Sequence, residues 1–365
     1  MRSTPRTRRA ATAVTATAVA ALALAGCAGQ SEASPTTSDV ISAERCAENA
    51  AAGPVLFLTS FAYAASAGIL DVLAADELGY FDDMCIDLVI KPGITNTQVV
   101  SAGTAQLAGL GGPIDVLTGI AEGADIVGIA TYGNTSAIEL ITMADSGIDQ
   151  LSDFAGRTVG YKGAIAPQFK AMFLDNGVDP DTINWVSVGY DPTILPDGQV
   201  EGLGAYKSNE PRVLEAAGHE ITEWDPAEYG IQSSFNTQIA NKEFAEQYPT
   251  VIEDFLRASF KAFDWINESD ANLDEALGWA EARSDAGYNV EMSKVRFQTE
   301  AALIAESQPE GTPLGLQTTE QWQTEADSLE RFGLVDTTLD VSTAFSDAYV
   351  SAIYDGTSLI WGDGE

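Results

Sequence analysis

Side chains suited to binding a flat, polar molecule follow the predicted strands of this sequence. They combine aromatic rings, which stack on planar ligands, with hydroxyl, amide and ammonium groups, which form hydrogen bonds. Ligands of open parallel sheets bind beyond the carboxyl ends of the strands, so residues at those ends are the binding candidates. These candidates are Ser60, Phe61, Tyr63, Gly112, Pro113, Tyr132, Asn134, Thr135, Tyr161, Lys162, Gly163 and Tyr190. Core packing is the alternative role for Phe61, Tyr63 and Tyr132.

Sequence patterns that would indicate catalysis are scarce. The chain has 1 His and 3 Cys, and it contains neither a Gly-Lys-Ser/Thr phosphate loop nor two histidines at metal-ligand spacing. An enzyme would need a nucleophile with its base, a metal cluster or two paired carboxylates. The carboxylate pair stays open, because Asp and Glu together number 54. The sequence therefore predicts a binding protein with no catalytic residue, cofactor or metal.

Short apolar runs alternate with helical stretches from residue 54 onwards. The predicted strands are 54–59, 86–91, 105–109, 124–131, 138–143, 158–162, 184–188 and 220–224. The predicted helices between them are 65–78, 97–102, 114–121 and 168–176, with a helix followed by a strand over 199–204. Residues after Gly230 are predicted to turn helical, including 249–268 and 291–306. This order predicts an α/β fold with mostly parallel sheets and right-handed crossovers.

The N-terminus has the organisation of an export signal. Four arginines within residues 2–9 precede an Ala-rich apolar stretch over 10–25, which is too short to span a membrane. The stretch ends in Leu-Ala-Gly-Cys, which resembles a bacterial lipobox, so residues 1–27 are predicted to be a lipoprotein signal with Cys27 acylated. An ordinary secretory signal is the alternative. Residues 28–45 are predicted to be a flexible tether.

The charge of the chain limits its partners. Lys and Arg number 18 against 54 Asp and Glu, giving a formal net charge of −36. Such a surface repels nucleic acid and anionic lipid headgroups, so nucleic acid is not an expected partner and the membrane is reached through the lipid alone.

Two cysteines remain once Cys27 is assigned to the lipid. Cys46 and Cys85 each lie just before a predicted strand, and neighbouring parallel strands begin at the same edge of a sheet. An exported protein folds in an oxidising compartment, so a disulfide is favoured over two buried free thiols.

Several segments occur in an order that resembles a known family. The chain is similar to the solute-binding proteins of the taurine/sulfonate, nitrate and thiamine-pyrimidine-precursor group. The similar segments are ELGYFDDMCIDLVI (77–90), SAGTAQLAGLGGPIDVLTGIAEGADIVGIA (101–130), LSDFAGRTVGYKG (151–163), YKSNEPRVLEAAGHEITEWDPAEYGI (206–231) and NKEFAEQYPTVIEDFLRASFKAFDWI (241–266). The last two look most like the branch that binds pyrimidine precursors and riboflavin.

The resemblance implies a two-lobed periplasmic-binding-protein fold of type II, with two parallel-type sheets and two crossing strands as a hinge. Lobe 1 would comprise 46–136 plus 236–365, and lobe 2 would comprise 137–235. The ligand would lie in the cleft, and the closed monomer would dock on the permease of an ABC importer and, through it, reach an ATPase. The Asn-Glu-Pro and Glu-Tyr-Gly motifs add Asn209, Glu210 and Tyr229 to the candidate site. A helix cap before Pro211 is the alternative role for Asn209 and Glu210.

The candidate set is rich in aromatic rings and modest in cations. Glu210 can accept hydrogen bonds from an exocyclic amine or a ring N–H, which favours an aminopyrimidine or flavin-like ligand over a sulfonate or nitrate. For an anion, Lys162, Arg157 and Arg212 are the available cations, so a sulfonate or nitrate ligand is the first alternative. A second alternative is an enzyme of pyrimidine-precursor synthesis, although the related eukaryotic synthase uses a His and a Cys-rich segment that this chain lacks. A sensor lipoprotein without a transport role is the third.

Overall fold

The computed structural model describes residues 37–336 and 338–362. The predicted signal peptide, Cys27 and the first part of the predicted tether lie outside the described residues. Within them, no helix combines the length and apolar character needed to cross a membrane.

The strands belong to two main sheets and one small hairpin. They are β1 (Val55–Thr59), β2 (Leu88–Pro92), β3 (Leu107–Leu110), β4 (Ile126–Gly133), β5 (Ile138–Met143), β6 (Thr158–Tyr161), β7 (Asn184–Ser187), β8 (Gly202–Tyr206), β9 (Ile221–Trp224), β10 (Phe235–Asn241), β11 (Tyr354–Asp355) and β12 (Ser358–Leu359). The first sheet has the order β2-β1-β3-β10-β4 and the second has the order β7-β6-β8-β5-β9. The chain therefore passes between the sheets twice, after β4 and before β10.

Helices cover the two main sheets. They are α1 (Ala43–Ala50), α2 (Leu70–Glu77), α3 (Tyr80–Asp83), α4 (Asn96–Ser101), α5 (Pro113–Ala121), α6 (Pro167–Asp175), α7 (Glu210–Ala216), α8 (Lys242–Gln247), α9 (Pro249–Glu268), α10 (Asp270–Arg283), α11 (Val290–Ser307), α12 (Thr319–Arg331) and α13 (Ala348–Ala352). Short 3-10 helices lie at Leu151–Phe154, Pro180–Thr182, Pro192–Ile194, Pro226–Tyr229 and Val341–Thr343. We call the part built on the first sheet the first lobe and the part built on the second sheet the second lobe.

Each lobe has an aromatic core of its own. In the first lobe, the ring of Phe255 on α9 lies 5.4 Å from that of Phe57 on β1, between centroids. In the second lobe, Phe154 packs edge-on against Phe173 and Trp224, with centroid distances of 5.2 Å to each. The two cores are separate clusters, and a crevice lies between the lobes.

The two-lobed α/β fold is confirmed, but the sheets are mixed. β1 runs parallel to β2 and β3, and β6 runs parallel to β7 and β8, as expected. β10 runs antiparallel to β3 and β4, and β5 runs antiparallel to β8 and β9. The returning strands cause this difference, because each enters a sheet from the opposite lobe.

β10 is the one strand of the two main sheets that the sequence did not predict. It was obscured by polar residues that are nevertheless buried: Thr237, Gln238 and Asn241. Each of their side chains is hydrogen bonded, for example from Gln238 Nε2 to the Gly68 carbonyl at 2.8 Å. A buried strand usually has a continuous apolar sequence, and here buried polar side chains interrupt that pattern.

Two further expectations differ from the structure. Residues 65–69 form turns, so the helix predicted over 65–78 begins at Leu70, where the Asp71 carboxylate accepts from the Gly68 amide at 2.7 Å. No helix precedes β8 within 199–204.

The predicted tether is wrong over its last residues, which pack on the first lobe. Ile41 is buried, and α1 begins after Ser42, whose side chain accepts from the Arg45 amide. Arg45 then donates to Asp254 on α9 at 2.7 Å. A disulfide joins Cys46 on α1 to Cys85 before β2, with 5.2 Å between their Cα atoms. The folded part therefore starts before residue 46.

Candidate functional site

A central cavity of about 370 Å³ lies between the two lobes. The first lobe contributes the loop after β1, the loop after β3 and one face of α11, and the second lobe contributes the ends of β6, β7 and β8 with the start of α7. The cavity thus lies beyond the carboxyl ends of parallel strands, where main-chain amides and loop side chains are available to a ligand. Its charged lining residues are Asp115, Lys162, Glu210, Arg296 and Glu300.

Lys162 and Glu210 form an ion pair within the second lobe. Lys162 Nζ donates to Glu210 Oε1 and to the Gly204 carbonyl at 3.1 Å, while Glu210 Oε2 accepts from the Tyr206 amide at 2.8 Å. The side chains are 13% and 2% exposed, so both charges are largely removed from water. The charge of Lys162 is therefore neutralised before any ligand binds.

Glu300 joins the two lobes through four hydrogen bonds. From the first lobe it accepts from Ser66 Oγ at 2.6 Å, the Ala67 amide at 3.0 Å and Asn236 Nδ2 at 3.0 Å. From the second lobe it accepts from Ser208 Oγ at 3.0 Å. Burial raises the pKa of this carboxyl, and the four donors oppose that rise by stabilising the charged form. Glu300 thus contributes to holding the lobes together in this arrangement.

Arg296 lies one helical turn before Glu300 on α11 and forms a second contact between the lobes. Its Nη2 donates to Asn209 Oδ1. Among the described residues it forms no salt bridge, and it lines the central cavity. Asn209 therefore uses its side chain across the cleft, and the structure shows no side-chain hydrogen bond from it to the start of α7.

Asp115 and Tyr206 both line the central cavity, one from each lobe. Both side chains are exposed to solvent within the open cleft, although many protein atoms lie near them. Burial raises the pKa of Asp115, and the amides of Gly111 and Gly112 partly oppose this rise. Burial also raises the pKa of Tyr206, with a further rise from Asp115, Glu210 and Glu300. Asp115 is thus an accessible acceptor.

A second space, which we call the side cavity, adjoins the central cavity and has a volume of about 470 Å³. It lies between α5 in the first lobe and the start of α6 in the second. The end of α12 borders it, and there Arg331 pairs with Asp175 of α6, with Nη1 3.0 Å from Oδ2.

The structure places most of the predicted site residues around these two cavities. Those that line the central cavity are Ser60, Phe61, Lys162, Gly163, Tyr190, Asn209 and Glu210. Gly112 and Tyr161 line the side cavity, together with Lys162. Because these residues come from separate segments of both lobes, their convergence results from the fold.

The remaining predicted site residues line neither cavity. Tyr132 is fully buried, because β4 continues to Gly133 and directs the ring into the first core, where its hydroxyl donates to Asp71. Pro113 is buried in the first turn of α5, and Asn134 bonds Gln321. Tyr63 lines a separate cavity beside α11, and Thr135 and Tyr229 are half-buried elsewhere.

Gly112 is required by a close approach between segments of the chain. A Cβ at this position would lie 2.6 Å from the carbonyl oxygen of Ser234, which belongs to the second crossing segment. The absence of a side chain therefore lets the loop after β3 pack against the crossing segment between the two cavities.

Several lining residues were not predicted from the sequence. They are Ser66, Ile69, Asp115, Tyr206, Ser208, Phe235, Asn236, Arg296 and Glu300. The i,i+4 spacing of Arg296 and Glu300 puts both on one face of a predicted helix, but only the return through β10 brings that helix to the cleft. No described group of three or more His, Cys, Asp and Glu residues is arranged to hold a metal ion.

Comparison with known proteins gives a consistent family and fold. The model of the NMT1/THI5-like family matches residues 67–271, more than half of the chain. A formylaminopyrimidine-binding protein from Halalkalibacterium halodurans is 26% identical over 280 residues, which cover 74% of this chain and 84% of that protein. A protein from Legionella pneumophila named 4-amino-5-hydroxymethyl-2-methylpyrimidine phosphate synthase is 25% identical over 218 residues, 56% of this chain and 67% of the relative.

Among solved structures, one similar fold is that of the putative periplasmic sulfonate-binding protein SsuA from Methylobacillus flagellatus. It superposes with a TM-score of 0.63 at 16% identity, covering 82% of this chain and 93% of that protein. This similarity supports the two-lobed fold of periplasmic binding proteins. With the family model covering α2 to α9, the chain belongs to the NMT1/THI5-like family.

Proposed function

We propose that this protein is the extracytoplasmic solute-binding component of an ABC importer and that it holds an aminopyrimidine, or a related aromatic heterocycle, between its lobes. The relative from Halalkalibacterium halodurans, named as a formylaminopyrimidine-binding protein, supports a ligand of this class. The proposal rests mainly on one observation, which is the excess of hydrogen-bond acceptors over unpaired cations in the central cavity.

The charge balance of the cavity favours a ligand that donates hydrogen bonds. Lys162 is neutralised by Glu210, which leaves Arg296 to face the carboxylates of Asp115 and Glu300. An aminopyrimidine offers N–H donors to Asp115 and carries no full negative charge. Glu300 already accepts four hydrogen bonds within the protein, so it acts on the ligand mainly through its charge. A sulfonate would bring a full negative charge close to the carboxylates, and like charges at short range are unfavourable.

Two aromatic rings at the cavity are available for stacking. Phe61 in the first lobe is 63% exposed and Tyr190 in the second lobe is 74% exposed, and both line the central cavity. Large apolar side chains of this kind usually bury their rings, so their exposure suits a planar ligand that covers them. Contacts from both lobes to one ligand would favour the closed arrangement.

Arg296 favours a second candidate function, the binding of a sulfonate. It is a cavity-lining cation without a carboxylate partner among the described residues, and a guanidinium binds oxyanions well. The proposed heterocycle would use the same guanidinium as a donor to a carbonyl or ring nitrogen. The two candidates therefore differ in what Asp115 contributes, since its carboxylate assists a donor ligand and opposes an anion.

The proposal extends to the location and partners of the protein. Residues 1–27 would direct export, Cys27 would carry the lipid, and the protein would act as a monomer that delivers its ligand to a membrane permease coupled to an ATPase. The strand membership of the two sheets supports lobe limits near residues 136/137 and 235/236. We propose no catalytic role. Incubating the protein with candidate pyrimidines and finding turnover would favour a synthase, in line with the relative from Legionella pneumophila.

A thermal-shift screen of the purified protein tests the ligand class. Aminopyrimidines, flavins and alkanesulfonates would each be added to the same preparation. A ligand at about 100 times its dissociation constant adds about 2.7 kcal/mol to the free energy of unfolding. We expect heterocycles to raise the melting temperature and sulfonates to leave it unchanged. A rise in melting temperature with sulfonates alone would favour the second candidate function, sulfonate binding.

A further inference from the structure

The central and side cavities adjoin along a set of shared lining residues, which we call the partition. Both are lined by Gly111, Asp115, Ala137, Lys162, Tyr206 and Phe235. The same residues face both spaces, so the two cavities are direct neighbours. A ligand in the central cavity would therefore lie within a side chain's breadth of the side cavity.

In the part of the chain that the structure describes, the side cavity has fewer charged lining residues than the central cavity. Away from the partition its walls include the apolar residues Ile114, Ile138, Ile165, Phe169, Leu329 and Leu334, together with uncharged polar residues such as Thr118, Ser136 and Gln168. Its charged lining residues within the described chain are Asp115 and Lys162, and both belong to the partition. Because no further charge from the described residues lines the side cavity and several of its walls are apolar, it can accept an uncharged alkyl or aryl group, which gains free energy by leaving water.

Tyr206 is suited to act as a movable gate in the partition. It stands at the end of β8 in the second lobe, and its hydroxyl reaches to 3.8 Å from the position that a Cβ on Gly111 of the first lobe would take. The side chain is 50% exposed, and its hydroxyl forms no hydrogen bond to another described residue. Rotation of this ring therefore breaks no hydrogen bond with the described part of the chain, and it would join the two cavities.

We infer that the binding site has a second compartment, the side cavity, which takes an uncharged alkyl or aryl substituent of the ligand past Tyr206. The inference rests on the proposed function, because the ring of the ligand is placed in the central cavity. It makes the ligand class more specific: an aromatic heterocycle that carries an apolar substituent, for which the two adjoining volumes of about 370 and 470 Å³ provide room.

Calorimetric titration with a graded series of ligands tests this inference. The probes are 4-aminopyrimidine-type rings that carry no chain, a propyl chain or a hexyl chain at C5. Burying one methylene group multiplies affinity about fourfold at full effect. We expect the affinity of the wild-type protein to rise by at least tenfold from the unsubstituted ring to the hexyl derivative.

Variants that fill the side cavity test whether the alkyl chain of the ligand binds there. Thr118 on α5 and Ile165 before α6 line the side cavity and not the central cavity. Thr118→Leu and Ile165→Trp should each abolish most of the gain from the hexyl chain while leaving binding of the unsubstituted ring within about twofold. Leu174→Trp is the matched control, because Leu174 is a half-exposed residue of α6 that lines neither cavity.

The outcomes separate this inference from the proposed function. If the unsubstituted ring binds but the chain adds nothing, the second compartment is refuted and the proposed function stands. If the hexyl chain adds as much affinity in the two filled variants as in the wild-type protein, the alkyl chain binds outside the side cavity and the inference is wrong. If no member of the series binds the wild-type protein, the proposed function fails and the inference fails with it.

Discussion

Replacing Lys162 with Met should expose how strongly the Lys162–Glu210 pair contributes to the second lobe. Glu210 is 2% exposed and would keep one of its present donors, the Tyr206 amide at 2.8 Å. Removing one partner of a buried pair costs about 3–5 kcal/mol, whereas an exposed pair contributes about 0–1 kcal/mol. Because Lys162 is 13% exposed and Glu210 keeps the amide, we expect a loss of about 2–4 kcal/mol.

Urea denaturation at pH 7 measures this loss, and a double-mutant cycle assigns it. Glu210→Gln combined with Lys162→Met removes the unpaired charge, so the double variant should recover much of the stability. Arg157→Met is the matched control, since the Arg157–Glu201 pair lies in the same lobe with side chains 37% and 41% exposed. The reasoning is refuted if Lys162→Met costs no more than Arg157→Met, or if the double variant is no more stable than Lys162→Met.

Three further predictions concern stability and can be measured by thermal or urea denaturation. Changing both Cys46 and Cys85 to Ser should cost about 4 kcal/mol, from the loop entropy of a crosslink with a sequence separation of 39; an unchanged midpoint would contradict this. Burial raises the pKa of Glu139 to about 8, so the folded state holds a proton that the unfolded chain releases above its ordinary pKa, near 4.5. The free energy of unfolding should therefore fall as the pH rises from 5 to 8, by up to about 1.4 kcal/mol per pH unit. Glu139→Gln should make this fall less steep; an equally steep fall in the variant would show that Glu139 is ionised in the folded protein. Gly112→Ala should cost about 1–3 kcal/mol, because its Cβ would lie 2.6 Å from the Ser234 carbonyl oxygen, and a neutral substitution would show that the crossing segment moves freely.

The sequence predicted the strand-end part of the site because buried apolar runs such as β1 and β6 are easy to recognise. Once those strands were placed, the residues after them followed, and Ser60, Phe61 and Lys162 line the central cavity. Tyr132 shows the limit of this method. The strand extends two residues further than its apolar pattern indicates, so a residue assigned to a strand end faces the core.

The rest of the site depends on contacts between distant segments. Arg296 and Glu300 reach the cleft only because β10 returns the chain to the first sheet, and that strand lacks an apolar pattern. The pairing of Lys162 with Glu210 also changes what both residues can offer a ligand. From the sequence alone, each is expected to be an unpaired charge. The pairing of charges across the fold cannot be read from local sequence, and it decides which ligand the cavity favours.

The most direct test of the account is the comparison of two ligand classes in calorimetric titrations of wild-type protein, Asp115→Asn and Arg296→Gln. The proposed function predicts that an aminopyrimidine binds the wild-type protein more tightly than an alkanesulfonate does. It also predicts that Asp115→Asn weakens the aminopyrimidine about tenfold, because a charge-assisted hydrogen bond contributes about 1.5–3 kcal/mol at full strength. Tighter binding of the alkanesulfonate, strengthened by Asp115→Asn and abolished by Arg296→Gln, would contradict it.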